Sequence, residues 1–297
     1  MSINNIVISS MLLGDTIMAL PAFELLYKIT GVPVRIHSHL GKLLNRLDFI
    51  EVMDCEHPID TATYNCFYLS QRFDYLDIRE EDDIYYYLSK RLFDFYGLPL
   101  DPSDLQFRDF FQITDTEKGQ AQALLNRNGF NPSKKTIVLS PYCKDSVYRD
   151  WDKEHILSRR LISAGYQVIW THFWEVINIE NLEGVIDLTG KTDVVELASI
   201  LSLADFSITV NSGPAHIAGI LGKPCLVVCG DVLPFHRFFR QYKSVYGIES
   251  ECPFKDIVEG TCLDGQLKNC LYESNPKACM EDISVDTVMK HVAEILG

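Results

Sequence analysis

Asn211-Ser212-Gly213-Pro214-Ala215-His216 follows the apolar run Ser207-Ile208-Thr209-Val210 and precedes Ile217-Ala218-Gly219-Ile220-Leu221-Gly222, whose spacing is helical. The stretch reads as a buried strand feeding a helix N-terminus. Amide groups there have no intrahelical partner and the helix dipole adds partial positive charge, so such a turn suits an anion, above all a phosphate. Gly213 lets a ligand approach the main chain, Pro214 fits the first helical turn, and His216 can reach the same ligand. An ordinary turn capped by Asn211 or Ser212 also accounts for these residues.

The N-terminus repeats the pattern. Ile6-Val7-Ile8-Ser9-Ser10 is β-branched, Met11-Leu12-Leu13-Gly14-Asp15 turns the corner, and Thr16 to Leu26 has helical spacing. Gly14 gives the turn its freedom. Asp15 falls at the carboxyl end of the first strand, the edge of an open α/β sheet where ligands bind. A carboxylate that opens a helix next to an apolar cleft can serve both as cap and as general base.

The chain has 297 residues, of which 47% are hydrophobic, enough for two domains with their own cores. Its net charge of −14 argues against a surface that grips nucleic acid non-specifically. Nothing reads as a transmembrane helix. The apolar opening has no basic n-region and carries Asp15, Pro21 and Glu24, so it reads as a first βα unit rather than a signal peptide. Nine cysteines, an odd total, fit a reducing compartment and a cytoplasmic protein. Cys55, Cys66, Cys143, Cys225 and Cys229 lie in or beside apolar runs, whereas Cys252, Cys262, Cys270 and Cys279 cluster near the C-terminus without a C-x-x-C pair. That spacing is too loose to favour a zinc knot over free thiols, so no metal is expected.

Strands are expected at 34–38, 64–69, 136–140, 166–170, 185–188, 206–210 and 224–229. Helices are expected at 84–96, 120–127, 152–164, 194–203, 214–221 and 285–296. This alternation implies parallel sheets covered by helices. The polar linker Asn131-Pro132-Ser133-Lys134-Lys135 places the domain boundary at 130/131, giving domains 1–130 and 131–297. The last helix is expected to pack back onto the first domain.

Gly14-Asp15-Thr16 with Leu20-Pro21-Ala22, then Asn211 to His216 followed by Gly222-Lys223-Pro224, and the tail Cys279-Met280-Glu281-Asp282-Ile283 together resemble glycosyltransferase family 9, the ADP-heptose:lipopolysaccharide heptosyltransferases. The resemblance spans nearly the whole chain in order. It implies a GT-B fold, two Rossmann-like doubly wound α/β domains with the active site in the cleft between them. It also implies inverting, metal-independent transfer of a sugar, heptose or another hexose or pentose, from a nucleotide-diphosphate sugar to a hydroxyl of a glycan such as lipopolysaccharide core. No cofactor is implied. A lipid-linked acceptor would bring the protein to the inner face of the membrane.

The family's catalytic Asp maps onto Asp15, and its basic residue ahead of a Trp maps onto Arg149 before Trp151, with Lys144 a second cation in the same loop. The donor turn maps onto Asn211, Ser212, Gly213 and His216, and the ribose carboxylate onto Glu175, although the flanking His172-Phe173-Trp174 departs from the pattern. Heptosyltransferases carry Asp where this chain has Asn211, a change that keeps an acceptor oxygen, removes the charge and adds a donor. The donor sugar is therefore open. Two alternatives stand beside transfer to a glycan: a GT-B protein that binds a nucleotide sugar without turnover, and a sugar transferase acting on modified DNA bases, against which the acidic total weighs.

Overall fold

The computed structural model describes residues 5–10, 12–53, 55–69, 83–143, 149–174, 182–230, 235–250 and 277–297. The chain divides into two compact units, Met1–Phe111 and Gln112–Gly297.

In the first unit the elements are β1 (Ile6–Ser9), α1 (Leu13–Thr30), β2 (Val34–His37), α2 (Gly41–Leu44), β3 (Ile50–Met53), β4 (Asn65–Tyr68) and α3 (Ile84–Tyr96). The strands are parallel in the order β3-β2-β1-β4. Ile8 lies beside Ile36 on one side and Phe67 on the other, so these residues share one face of the sheet. There Phe67 meets Phe95 of α3 at 5.1 Å between ring centroids, and the Arg91 guanidinium lies 5.5 Å over the Phe67 ring. Helix α1 packs beside α3 and ends at Gly31, whose φ of 69° closes the helix through an N–H bond to the Tyr27 carbonyl.

The second unit holds α4 (Asp115–Arg127), β5 (Thr136–Ser140), α5 (Glu154–Ser163), β6 (Gln167–Trp170), β7 (Val185–Asp187), α6 (Val194–Leu203) and β8 (Phe206–Val210). It continues with α7 (Gly213–Ile220), β9 (Cys225–Cys229), α8 (His236–Phe239), β10 (Val245–Glu249), α9 (Ala278–Asp282) and α10 (Val285–Leu296). Its parallel sheet runs β10-β9-β8-β5-β6-β7. Counted from its first strand this is the order 3-2-1-4-5-6 of a dinucleotide-binding sheet, and the first unit reproduces its 3-2-1-4 part.

Two expectations change here. The division falls at 111/112 and not at 130/131, because α4 packs on α6; its capping box, Thr114 with Glu117, starts the helix five residues earlier than its apolar spacing indicates. The last helix belongs to the second unit: α10 packs on α5 and buries Val285, Val288 and Val292 in the same core as Leu139, Leu157, Trp170 and Val228.

The tail is held where β5 gives way to α5. The buried Trp151 indole donates to the Ile283 carbonyl at 3.1 Å, Lys153 donates to the Ile283 carbonyl at 3.0 Å and also bonds the Glu281 carbonyl, and Lys277 pairs with Asp152 at 2.8 Å. Gly230, beyond β9, makes room for this docking. A Cβ there would stand 2.6 Å from the Met280 sulfur.

Gly219 on α7 is under the same kind of constraint, since a Cβ would stand 2.5 Å from the buried Tyr242 ring. Helix propensity favours Ala over Gly by about 1 kcal/mol, but forcing that ring aside costs about 1–3 kcal/mol. Gly219→Ala is therefore expected to lower the urea midpoint, and a raised midpoint would mean that Tyr242 does not press on α7 as described.

Candidate active site

Asp15 is the third residue of α1. The turn that carries it is cinched from below: the Thr16 hydroxyl donates to the Leu12 carbonyl at 2.7 Å, and the buried Ser10 hydroxyl, left to donate, meets Thr16 Oγ1 at 2.6 Å. The carboxylate is half-buried and its Oδ2 is shielded from solvent. No side chain caps α1 at Leu12, and an acidic group in the first turn is favoured by the helix dipole. Gly14 precedes Asp15 in that turn. Ser9 pairs with Tyr68 across β1 and β4, the two strands between which the chain order reverses, so Asp15 follows the strand at the topological switch point of its unit.

The second unit repeats this placement. Ser140 ends β5 beside Thr209 of β8, again the pair at which the order reverses, and Asn211-Ser212-Gly213 leaves the carboxyl end of β8. Asn211 is buried. Ser212 holds the cap position of α7 in extended conformation but does not cap with its side chain; its hydroxyl turns back to the Val210 carbonyl at 3.3 Å. The leading end of α7, with Gly213 and Pro214 in its first turn, is thus left without a side-chain cap, the condition in which amide groups accept an anion.

His216, in that first turn, is only 3% exposed. Its ring stacks on Phe239 of α8 at 4.7 Å, lies edge-on to Tyr242 at 5.8 Å, and its Nδ1 is 3.4 Å from the Tyr242 hydroxyl. Burial pushes its pKa down to about 3, so it is neutral near pH 7. It brings no cation to the turn.

The loop after β5 carries Arg149, which is half-buried, directly before Asp150 and Trp151. Asp150 accepts the Cys143 N–H at 2.7 Å and so ties the two ends of the loop together. Burial raises the Asp150 carboxyl to about 6, against the pull of that bond and of Lys277. Lys144 and Glu175 lie outside the described residues.

Residue patterns had not marked the packing around this loop. The Tyr142 hydroxyl donates to Glu154 Oε1 at 2.8 Å, and the Tyr142 ring stands edge-on to His172 at 5.6 Å. Ser140 and Thr171 hydroxyls meet at 2.7 Å at the ends of β5 and β6. Burial raises the Tyr142 pKa further than its bond to Glu154 does, and burial lowers that of His172. Arg237 is a second omission: this arginine is buried on α8, two residues before the phenyl ring that stacks on His216. The alternation Phe235-His236-Arg237-Phe238-Phe239-Arg240 is the signal that could have found it. Among the described residues no three His, Cys, Asp or Glu side chains are grouped to hold a metal; of the four clustered cysteines only Cys279 is described. Among the described residues no helix is long and apolar enough to cross a membrane.

Each unit is thus a parallel doubly wound sheet with its candidate residues at the switch point, the Rossmann-like arrangement of nucleotide-binding domains. The sequence profile of glycosyltransferase family 9 (heptosyltransferase) matches residues 93–244, just over half of the chain, and the protein belongs to that family. Comparison with curated protein sequences finds no match. Among solved structures, the family 9 glycosyltransferase of Veillonella parvula superposes with a TM-score of 0.65 at 16% identity, covering 98% of this chain and 96% of that one. The E. coli ADP-heptose lps heptosyltransferase II gives 0.62 at 14%, with 98% of each chain covered. The dodecameric iron-containing heptosyltransferase TibC of enterotoxigenic E. coli, solved with ADP-D-beta-D-heptose, gives 0.66 at 15%, covering 98% of this chain and 76% of that one.

The depressed pKa of His216 makes stability depend on pH. With a folded pKa near 3 and an unfolded value near 6.5, the unfolded chain binds the extra proton between them. Stability from this residue is complete above about pH 6.5 and is lost as pH falls, by about 2 kcal/mol at pH 5. His216→Phe keeps an aromatic ring against Phe239 and removes this component. Urea denaturation between pH 7 and 5 should show a shallower fall for the variant, and parallel slopes would mean that His216 is not held neutral.

Proposed function

We propose that this glycosyltransferase moves a sugar, heptose or another hexose or pentose, from a nucleotide-diphosphate sugar to a hydroxyl of a glycan such as lipopolysaccharide core. Transfer inverts the anomeric centre and uses no metal. The observation that carries the reading is the placement of Asp15 in one unit and of the Asn211 to Gly213 turn in the other at carboxyl strand ends beside a topological switch point. The complexes of TibC with ADP-D-beta-D-heptose and of E. coli WaaC with ADP-2-deoxy-2-fluoro heptose, at 15% and 14% identity, support a nucleotide-sugar donor.

In this reading Asp15 takes the proton of the acceptor hydroxyl as its oxygen bonds to the anomeric carbon from the face opposite the diphosphate. The bond from that carbon to the diphosphate oxygen breaks on the other side, and its electron pair leaves with the nucleotide. The charge that develops there is met by the amides opening α7 and by the cations Arg149 and Lys144, electrostatic stabilisation of the leaving nucleotide. Since His216 is neutral, the cationic part falls to these two residues. Asn211 contacts the donor sugar through an uncharged amide and Glu175 the ribose, while Ser212 and Gly213 shape the turn. A lipid-linked acceptor would bring the protein to the inner face of a membrane.

Asp15→Asn should lower kcat by about 100-fold or more while leaving nucleotide affinity nearly intact, because the base acts only in the transition state. Turnover of the variant at the wild-type rate would remove Asp15 from the mechanism. Arg149→Ala should weaken nucleoside diphosphate binding by about tenfold, the value of one charge-assisted contact, read by calorimetry. EDTA should leave turnover unchanged, and activity that is lost with chelator and restored by metal would overturn the metal-free scheme.

A further inference from the structure

The chain leaves β5 as Pro141-Tyr142-Cys143, and Arg149-Asp150-Trp151 lies alongside that segment ahead of α5. Hydrogen bonds join the two. The Trp151 N–H donates to the Pro141 carbonyl at 3.1 Å, one residue past the strand, and the Cys143 N–H donates to Asp150 Oδ1 at 2.7 Å. Each segment is also fastened elsewhere in the unit. The Tyr142 hydroxyl donates to the buried Glu154 carboxylate of α5 at 2.8 Å, and the Trp151 indole donates to the Ile283 carbonyl at 3.1 Å.

Asp150 stands between these fixed points and Arg149. Arg149 precedes the bonded Trp151 amide by two residues, at most about 7 Å of chain. A bond at Trp151 alone would let the residues ahead of it pivot, whereas a further bond on the Arg149 side leaves fewer backbone states. Burial, with the nearby Asp152 and Glu154 carboxylates, raises the Asp150 carboxyl to about 6, against the pull of the Cys143 amide and of Lys277. The group is still ionised near pH 7, and a carboxylate holds an amide more firmly than a neutral acceptor does. The strand end to which this restraint refers lies beside β8, from which the Asn211-Ser212-Gly213 turn departs in the same unit.

We propose that Asp150 is a positioning residue for Arg149: by holding the Cys143 amide it fixes the backbone from which the guanidinium reaches the donor diphosphate. The inference rests on the reading of Arg149 as a diphosphate cation. In this role Asp150 acts through Arg149 and needs no contact with the ligand. Ordering a residue before the ligand arrives removes that part of the entropic cost from binding. Loss of the bond therefore lowers affinity, and does so only while Arg149 is present to use it.

ADP, UDP, GDP and CDP are titrated into wild type by calorimetry, and the one bound most tightly is carried into Arg149→Ala, Asp150→Ala, the double variant and Asp150→Asn, each checked for folding by its urea transition. Arg149→Ala and Asp150→Ala should each weaken binding by about tenfold. The double variant should also lose about tenfold rather than about a hundredfold, because residues that act through one contact are not additive. Asp150→Asn, which keeps an acceptor oxygen and removes the charge, should bind within about threefold of wild type. Asp150→Glu, which keeps the charge and displaces the acceptor by one methylene, replaces the alanine variant if that one does not fold. Additive losses, an Asp150→Ala variant that binds as wild type does, or an Asp150→Asn variant as weak as Asp150→Ala would overturn the positioning and leave the reading of Arg149 standing. Unchanged affinity in Arg149→Ala would overturn that reading and the positioning with it, and failure of wild type to bind any of the four would overturn the donor reading as well.

Discussion

The pairing of β5 with β8 is the constraint on which the second unit depends. Ser140 and Thr209 lie side by side although about seventy residues separate them, and every strand of the sheet runs the same way. From this pair the chain winds outward in opposite directions, through α5 to β6 and through α7 to β9, and right-handed crossovers send those helices to opposite faces. Neither helix can close over the gap between the two strand ends. The opening is a consequence of topology, and the residues that happen to leave the two strands become its lining. The same argument applies to β1 and β4 in the first unit, where Asp15 is the residue so placed.

A second constraint ties the end of the chain to this edge. Trp151 is a core residue, but its indole N–H must be satisfied, and the Ile283 carbonyl satisfies it. Lys153 and Lys277 reinforce the contact from the rim. The segment from Arg149 to Trp151 is thereby set beside the tail. Residues outside strands and helices owe their positions to such scaffolding, and here the scaffold comes from more than a hundred residues away in sequence.

The polar interior at the strand ends follows a related logic. Along β5, β6 and β8 the side chains facing α5 and α10 are apolar, among them Leu139, Trp170 and Ile208, whereas alternate positions carry Ser140, Thr171, Ser207 and Thr209. Small hydroxyl side chains let helices approach closely and satisfy one another, as Ser140 and Thr171 do. Beside these strand ends a buried glutamate, a tyrosine and a histidine form one continuous set of contacts.

Much of this was legible in the amino-acid sequence. The β-branched runs, the strand-to-helix turns at Asp15 and Asn211 and the glycine helix ends are local features, set by backbone sterics and the period of apolar residues, and from them the α/β class and both switch-point turns could be read. Strands β3 and β10 show no clean apolar run because Glu51 and Gly247 interrupt them, and the start of α4 is marked by a capping box rather than by apolar spacing. Which unit α4 and α10 join is a matter of which apolar face finds which partner, and that only tertiary packing decides. The state of His216 belongs to the same class. Its position in the first turn of α7 was evident from sequence, but its neutrality comes from Phe239 and Tyr242, brought against it from another part of the chain, because desolvation is a property of surroundings and not of a residue's place in sequence.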